Sequence, residues 1–166
     1  MMAERRGAAG GSRGSSSRVS TVAALGHVPK LSHDVVTLEH AIAAEELIVA
    51  TYRAAAAQLS TSGDGQRLGA VVTAIHGEHQ AHLTRLRARL VLPPRLAHTK
   101  FLAGRPSPLP ADSQGIIGAL VADERAAAAR LTSELLHAPP ALAQLMASIA
   151  ASEAAHVIYL RRAGSP

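Results

Sequence analysis

The chain has 166 residues, 48% of them hydrophobic, and a formal charge of +5, which suits one domain built around a single core. It contains no cysteine, so disulfides, thiolate metal sites and thiol nucleophiles are excluded, and a reducing cytoplasm is the expected location. Two Tyr, one Phe and no Trp leave a core of Ala, Leu, Ile and Val, a composition that favours closely packed helices.

Residues 1–32 read as a disordered Gly/Ser/Arg-rich tail. Arg5, Arg6, Arg13, Arg18 and Lys30 face Glu4 alone, so most of the net charge sits there and the rest of the chain is nearly balanced. Such a segment lacks the apolar residues a core needs. A solvated tail outweighs a nucleic-acid contact as its reading. Arg5-Arg6 invites a twin-arginine signal, but a hydrophilic stretch follows in place of an apolar run. No segment approaches 18 uninterrupted apolar residues, and no membrane span is expected.

The bundle is expected over residues 33–163. Its first helix is predicted over 33–60, with Val35, Leu38, Ile42, Glu45, Val49, Tyr52, Ala56 and Leu59 at alternating steps of three and four. The second spans 64–90 with Leu68, Val72, Ile75, His79, His82 and Leu86 in the same rhythm. A Pro-rich stretch, 91–111, shows little helical pattern. The third helix, 112–137, starts near Asp112 as N-cap. Gly115 stands where a reciprocal capping box would have Glu or Gln. Its stripe is Ile117, Leu120, Glu124, Ala127, Leu131 and Leu135. Pro139-Pro140 separates it from the fourth helix, 140–163, which carries Leu142, Leu145, Ile149, Glu153, His156 and Leu160.

Short links at 60–63 and 137–140 imply two antiparallel helical hairpins. A helix as long as the second measures roughly 40 Å at 1.5 Å per residue, and the 91–111 link can reach about 60 Å when extended. The expected fold is therefore all-α, a four-helix bundle of two hairpins joined by one long crossover.

Polar residues interrupt every stripe near its middle: Glu45, the His79/His82 pair, Glu124 and the Glu153/His156 pair. The last two pairs belong to a repeat, because Ala81, His82, Leu86 and Arg87 in 76–87 correspond to Ala155, His156, Leu160 and Arg161 in 150–161. Residues three apart share a helix face, so each pair can address one common object. Three unpaired carboxylates in such a layer would cost several kcal/mol each, so they must meet histidinium, share protons or bind a cation. Oxygen and imidazole donors without sulfur suit iron, manganese or zinc. Glu46, Asp123 and Glu78 adjoin the preferred residues and are alternatives after a small helix rotation.

This pattern resembles the ferritin-like superfamily, in which one Glu on each of two helices and a Glu-x-x-His on each of the other two hold a pair of irons or manganeses. The Ala-rich helices, the Glu45 to Tyr52 spacing and the Ser148–His156 run look like an uncharacterised actinobacterial family of ferritin-like proteins over about residues 33–163. The resemblance implies a ferritin-like four-helix bundle with Glu45, His82, Glu124, Glu153 and His156 as metal ligands. His79 departs from it by standing where the superfamily has a bridging Glu. A neutral imidazole does not bridge two metals as a carboxylate does, and Glu78 lies about 100° away around the helix. A single metal, an altered pair and a metal-free polar core all stay open.

Two functions from different classes follow as expectations. One is a protein binding one or two transition-metal ions, iron or manganese, with oxygen- or peroxide-linked redox chemistry and Tyr52 as a nearby donor. The other is a metal-free ferritin-like scaffold or interaction module in which the histidines neutralise the carboxylates. A homodimer or other homo-oligomer through the helix faces is the expected partner. No Gly-x-Ser-x-Gly elbow or phosphate-binding glycine loop is present. His76 is expected to face away from the seam, and Arg85, Arg87 and Arg89 to be a solvated helix end.

Overall fold

Ser32 accepts a hydrogen bond from the Val35 N–H at 3.4 Å and so begins the first helix, α1 (His33–Leu59), satisfying one of the free first-turn donors. In this computed structural model, residues 32–60, 65–90 and 104–165 are described, all of them within the compact unit Leu31–Pro166. The expected tail and most of the crossover, 91–103, lie outside the described residues. Three further α-helices follow: α2 (Gly65–Arg87), α3 (Ser113–Glu134) and α4 (Pro140–Gly164). No strand occurs among the described residues.

The helix ends differ from expectation by a few residues. Helix α2 stops at Arg87, short of 90, because the Arg89 and Leu90 N–H groups bond three residues back, at 3.0 and 3.1 Å, tightening the last turn. Helix α3 stops at Glu134 and continues as a single 3-10 turn, Leu135–His137. Asp112 is its N-cap as expected, with Oδ1 accepting from the Gly115 N–H at 2.7 Å. Pro140 occupies the first turn of α4, where its missing N–H leaves nothing unsatisfied.

The absence of a capping box at α3 has a steric reason. A Cβ on Gly115 would lie 2.6 Å from the Pro110 Cβ and 2.9 Å from Asp112 Oδ2, so the arriving chain leaves no room for a side chain there. Gly115→Ala is expected to destabilise the protein by about 1–3 kcal/mol through overpacking, measured by denaturant unfolding. A neutral result would show that the 104–112 segment does not press on the start of α3.

Contacts along the helices give their directions. Leu59 meets Gly69 while Glu45 meets His79 and Glu46 meets Arg87, so positions early in α1 face positions late in α2 and the two are antiparallel. Gln114 with Gly164 and Glu124 with His156 show the same for α3 and α4. Arg67 with Arg162 and Glu78 with Ser152 make α2 and α4 antiparallel as well. Helices α2 and α3 therefore run the same way. The described end of the link between them lies beside α1: Gly104 is near Leu47, and Gln58 Nε2 donates to the Pro110 carbonyl at 2.7 Å.

Two apolar clusters form the core. One gathers Tyr52, Leu59, Val72, Ile116, Leu120 and Leu160; the other gathers Leu38, Leu86, Leu131, Met146 and Ile149. The α2 stripe is buried at every predicted position. On α1, Val49 and Ala56 are only half-buried while Ile48 and Ala55 are buried; on α4, Met146 takes the place expected for Leu145. Helix α1 touches both α2 and α3, so its buried side is an arc and not a single line. By length and composition α4 is apolar enough to cross a membrane. In the bundle it packs against α2 and α3, and Glu153 and His156 on it are buried.

Candidate metal centre

Glu45, His79, His82, Glu124, Glu153 and His156 come together between the two apolar clusters, none more than 5% exposed. Each arrives from the middle of its helix, and every helix supplies at least one. The gathering follows from the stripes: a helix that buries Ile75 and Leu86 must also bury His79 and His82 between them.

His79 occupies the centre. Its Nδ1 lies 2.9 Å from Glu45 Oε1 and its Nε2 lies 2.9 Å from Glu124 Oε1. Carboxylates only accept, so both ring nitrogens donate and His79 is an imidazolium. Burial alone would lower its pKa, but the hydrogen bonds and charges of Glu124 and Glu45 outweigh that and raise it to about 10. The Tyr52 ring lies 4.8 Å from the His79 ring, centre to centre, and its hydroxyl donates to Glu124 Oε1. Desolvation and the neighbouring carboxylates raise the Tyr52 pKa, keeping that proton in place.

Glu124 is the best-satisfied carboxylate. His156 Nδ1 approaches its Oε2 at 3.3 Å, on the opposite side from Tyr52 and His79. Burial opposes its charge, yet the bonds from His156 and His79 bring its pKa down to about 2. Glu45 is likewise held below its usual range, His79 and His82 outweighing its burial; His82 Nδ1 sits 3.3 Å from Glu45 Oε1. The same balance, with Glu124 and Glu78 as partners, raises His156.

Glu153 differs from the other two. It is fully buried, and neither of its oxygens has a hydrogen-bond partner. Burial, then the charges of Glu45 and Glu124, push its pKa up to about 8, against the weaker pull of His79 and Arg130. The layer without metal thus sets the ionised Glu45 and Glu124 around the His79 imidazolium, with Glu153 neutral.

The donor atoms converge in two groups. Glu45, His79, His82 and Glu153 each offer one ligand atom, all within 4.8 Å of one another, and His79, Glu124 and His156 do the same. His79 belongs to both. The layer could hold a metal ion: its oxygen and nitrogen donors suit a borderline or hard transition metal, and the unpartnered oxygens of Glu153 are free to ligate.

The alternatives raised by the sequence fall outside the layer. Glu46 is half-buried and pairs with Arg87 at 2.6 Å. Asp123 is exposed, its pKa raised by partial burial and by Glu124. Glu78 is the exception, because its Oε2 lies 3.1 Å from His156 Nε2. The sequence reading missed Ser152, whose hydroxyl touches both Glu78 and His156, at 3.3 and 3.4 Å. The repeat held a signal for it: Glu78 and Ser152 occupy equivalent positions, which meet each other across α2 and α4. His76 is half-buried off the layer, with Nε2 unpartnered and its pKa lowered by burial. No family model, curated protein or solved structure matches this chain.

Proposed function

We propose that this four-helix protein is ferritin-like and that its central layer holds one or two transition-metal ions, iron or manganese. The observation that carries the reading is Glu153: a carboxylate buried beside Glu45 and Glu124, with no donor for either oxygen, is what a cation would stabilise. Glu45, His82 and Glu153 would hold the first ion, and Glu124 and His156 a second. A neutral His79 offers one lone pair, so it would serve one ion at a time. Iron held there would supply redox chemistry with oxygen or peroxide. Tyr52 would keep its hydroxyl proton directed at Glu124 Oε1, and the two apolar clusters would exclude bulk water from the layer.

Metal binding must remove protons from His79 and from Glu153, so loading is expected to acidify the solution. Elemental analysis of the purified protein, repeated after anaerobic addition of ferrous iron, should reach at least one ion per chain. At a free metal concentration 100 times Kd the folded state gains about 2.7 kcal/mol, visible as a higher melting temperature. Less than one ion per chain in both preparations, with an unchanged melting temperature, would refute the reading.

A second reading rests on His79 itself. With both nitrogens already bonded to carboxylates, the His79 imidazolium holds Glu45 and Glu124 together without metal, as a ferritin-like scaffold would need. Exposed Ile158 and Tyr159 on α4 would then serve a homo-oligomer. Melting indifferent to iron, manganese and zinc favours this alternative.

A further inference from the structure

A layer this enclosed raises the question of how an ion reaches it. None of its six residues meets solvent appreciably. Among the described residues, His156 alone of the six has a hydrogen bond that leads outward. Its Nδ1 faces Glu124 Oε2 at 3.3 Å while its Nε2 faces Glu78 Oε2 at 3.1 Å. The Glu78 side chain is 55% exposed. Ser152 Oγ steadies the same Glu78 oxygen at 3.3 Å. Donor atoms therefore run without a break from solvent through Glu78 and His156 to Glu124.

The neighbouring carboxylates do not offer this. Glu46 is engaged by Arg87, and Asp123, although exposed, shows no hydrogen bond to a histidine of the layer. Glu78 also lines a pocket between α2 and α4 together with Arg67, Val71, Ala74, Ile75, Tyr159 and Arg162, and Gly77 and Ala81 near it on α2 are exposed.

We infer that Glu78 is the admission ligand, the surface carboxylate that takes a divalent cation from solvent and passes it by way of His156 to the buried layer. The inference rests on the metal-binding reading. An exposed carboxylate attracts cations and speeds their association, an effect that salt screens. It also supplies an oxygen as the ion sheds water, and rotation of the His156 ring then exposes Glu124 behind it. Ser152, equivalent to Glu78 in the repeat, holds the carboxylate towards the ring.

The test follows Co(II) uptake by the metal-free protein through its visible absorption, at low and high salt, with elemental analysis of the endpoint. Glu78→Gln is compared with wild type and with Glu46→Gln, a half-buried carboxylate paired with Arg87 away from the path. Glu78→Gln should load about tenfold more slowly, with a weaker salt dependence, and reach the wild-type endpoint. Glu46→Gln should load like wild type. Equal rates for Glu78→Gln and wild type would overturn the inference, as would equal slowing in both variants, which signals general surface charge. A lower endpoint in Glu78→Gln would make it a resident ligand and overturn it too. Failure of the metal-binding reading appears elsewhere, in a wild-type endpoint below one ion per chain, and removes the inference with it.

Discussion

His79→Ala is expected to lower the unfolding free energy of the metal-free protein by about 3–5 kcal/mol, the usual cost of removing one partner from a buried charge pair. Two carboxylates lose their central cation at once. Glu45 keeps only His82, 3.3 Å away, and Glu124 keeps Tyr52 and His156. His79→Gln separates charge from packing: its amide can donate to a carboxylate but brings no charge, so an intermediate loss is expected. Denaturant unfolding at pH 7 of the two variants and wild type measures both effects. A loss under about 1 kcal/mol for His79→Ala would mean that His79 does not lie between buried carboxylates.

The metal-free protein is also expected to lose stability as pH rises from 5 to 8, by on the order of 3 kcal/mol. Glu153 is the main cause. Its carboxyl titrates near 4.5 when unfolded and at about 8 in the fold. Over that range the unfolded chain releases a proton the folded one keeps, and stability falls. His79 acts in the same sense at higher pH: its contribution is full below the ordinary histidine value of about 6.5 and disappears as pH rises through about 10. Glu124 acts oppositely, contributing above 4.5 and losing that contribution as pH falls towards about 2. Stability should therefore peak in mild acid. Glu153→Gln, neutral at every pH, should flatten the profile between about pH 5 and 6.5 and leave only the decline due to His79 above it.

Bound metal reverses that slope. The ligands must give up their protons to hold an ion, so the loaded protein should become more stable as pH rises through neutrality. Unfolding curves at several pH values, with and without metal, compare the two signs directly. A flat metal-free profile that Glu153→Gln leaves unchanged would place Glu153 outside the carboxylate layer.

Helix number, helix limits within a few residues and the middle position of the six polar residues were legible in the sequence, because a period near 3.6 decides which side of a helix is buried. Leu68, Val72, Ile75, His79, His82 and Leu86 show this most directly: one stripe, every member buried. The Asp112 cap and the Pro139-Pro140 break were local too, depending on backbone donors one turn away. Only the tertiary structure decided who meets whom within the layer. Periodicity says that His79 is buried; the packing of α1 and α3 against α2 decides that its two nitrogens go to Glu45 and Glu124. The same packing leaves Glu153 without a donor, a property that depends on the groups three other helices bring near it. It also turns Glu78, which helical geometry places off the seam, towards His156, because the antiparallel pairing of α2 and α4 brings equivalent halves of the repeat face to face. A sequence pattern fixes the side of a helix, whereas hydrogen-bond partners and charge balance depend on distances between helices that no single helix contains.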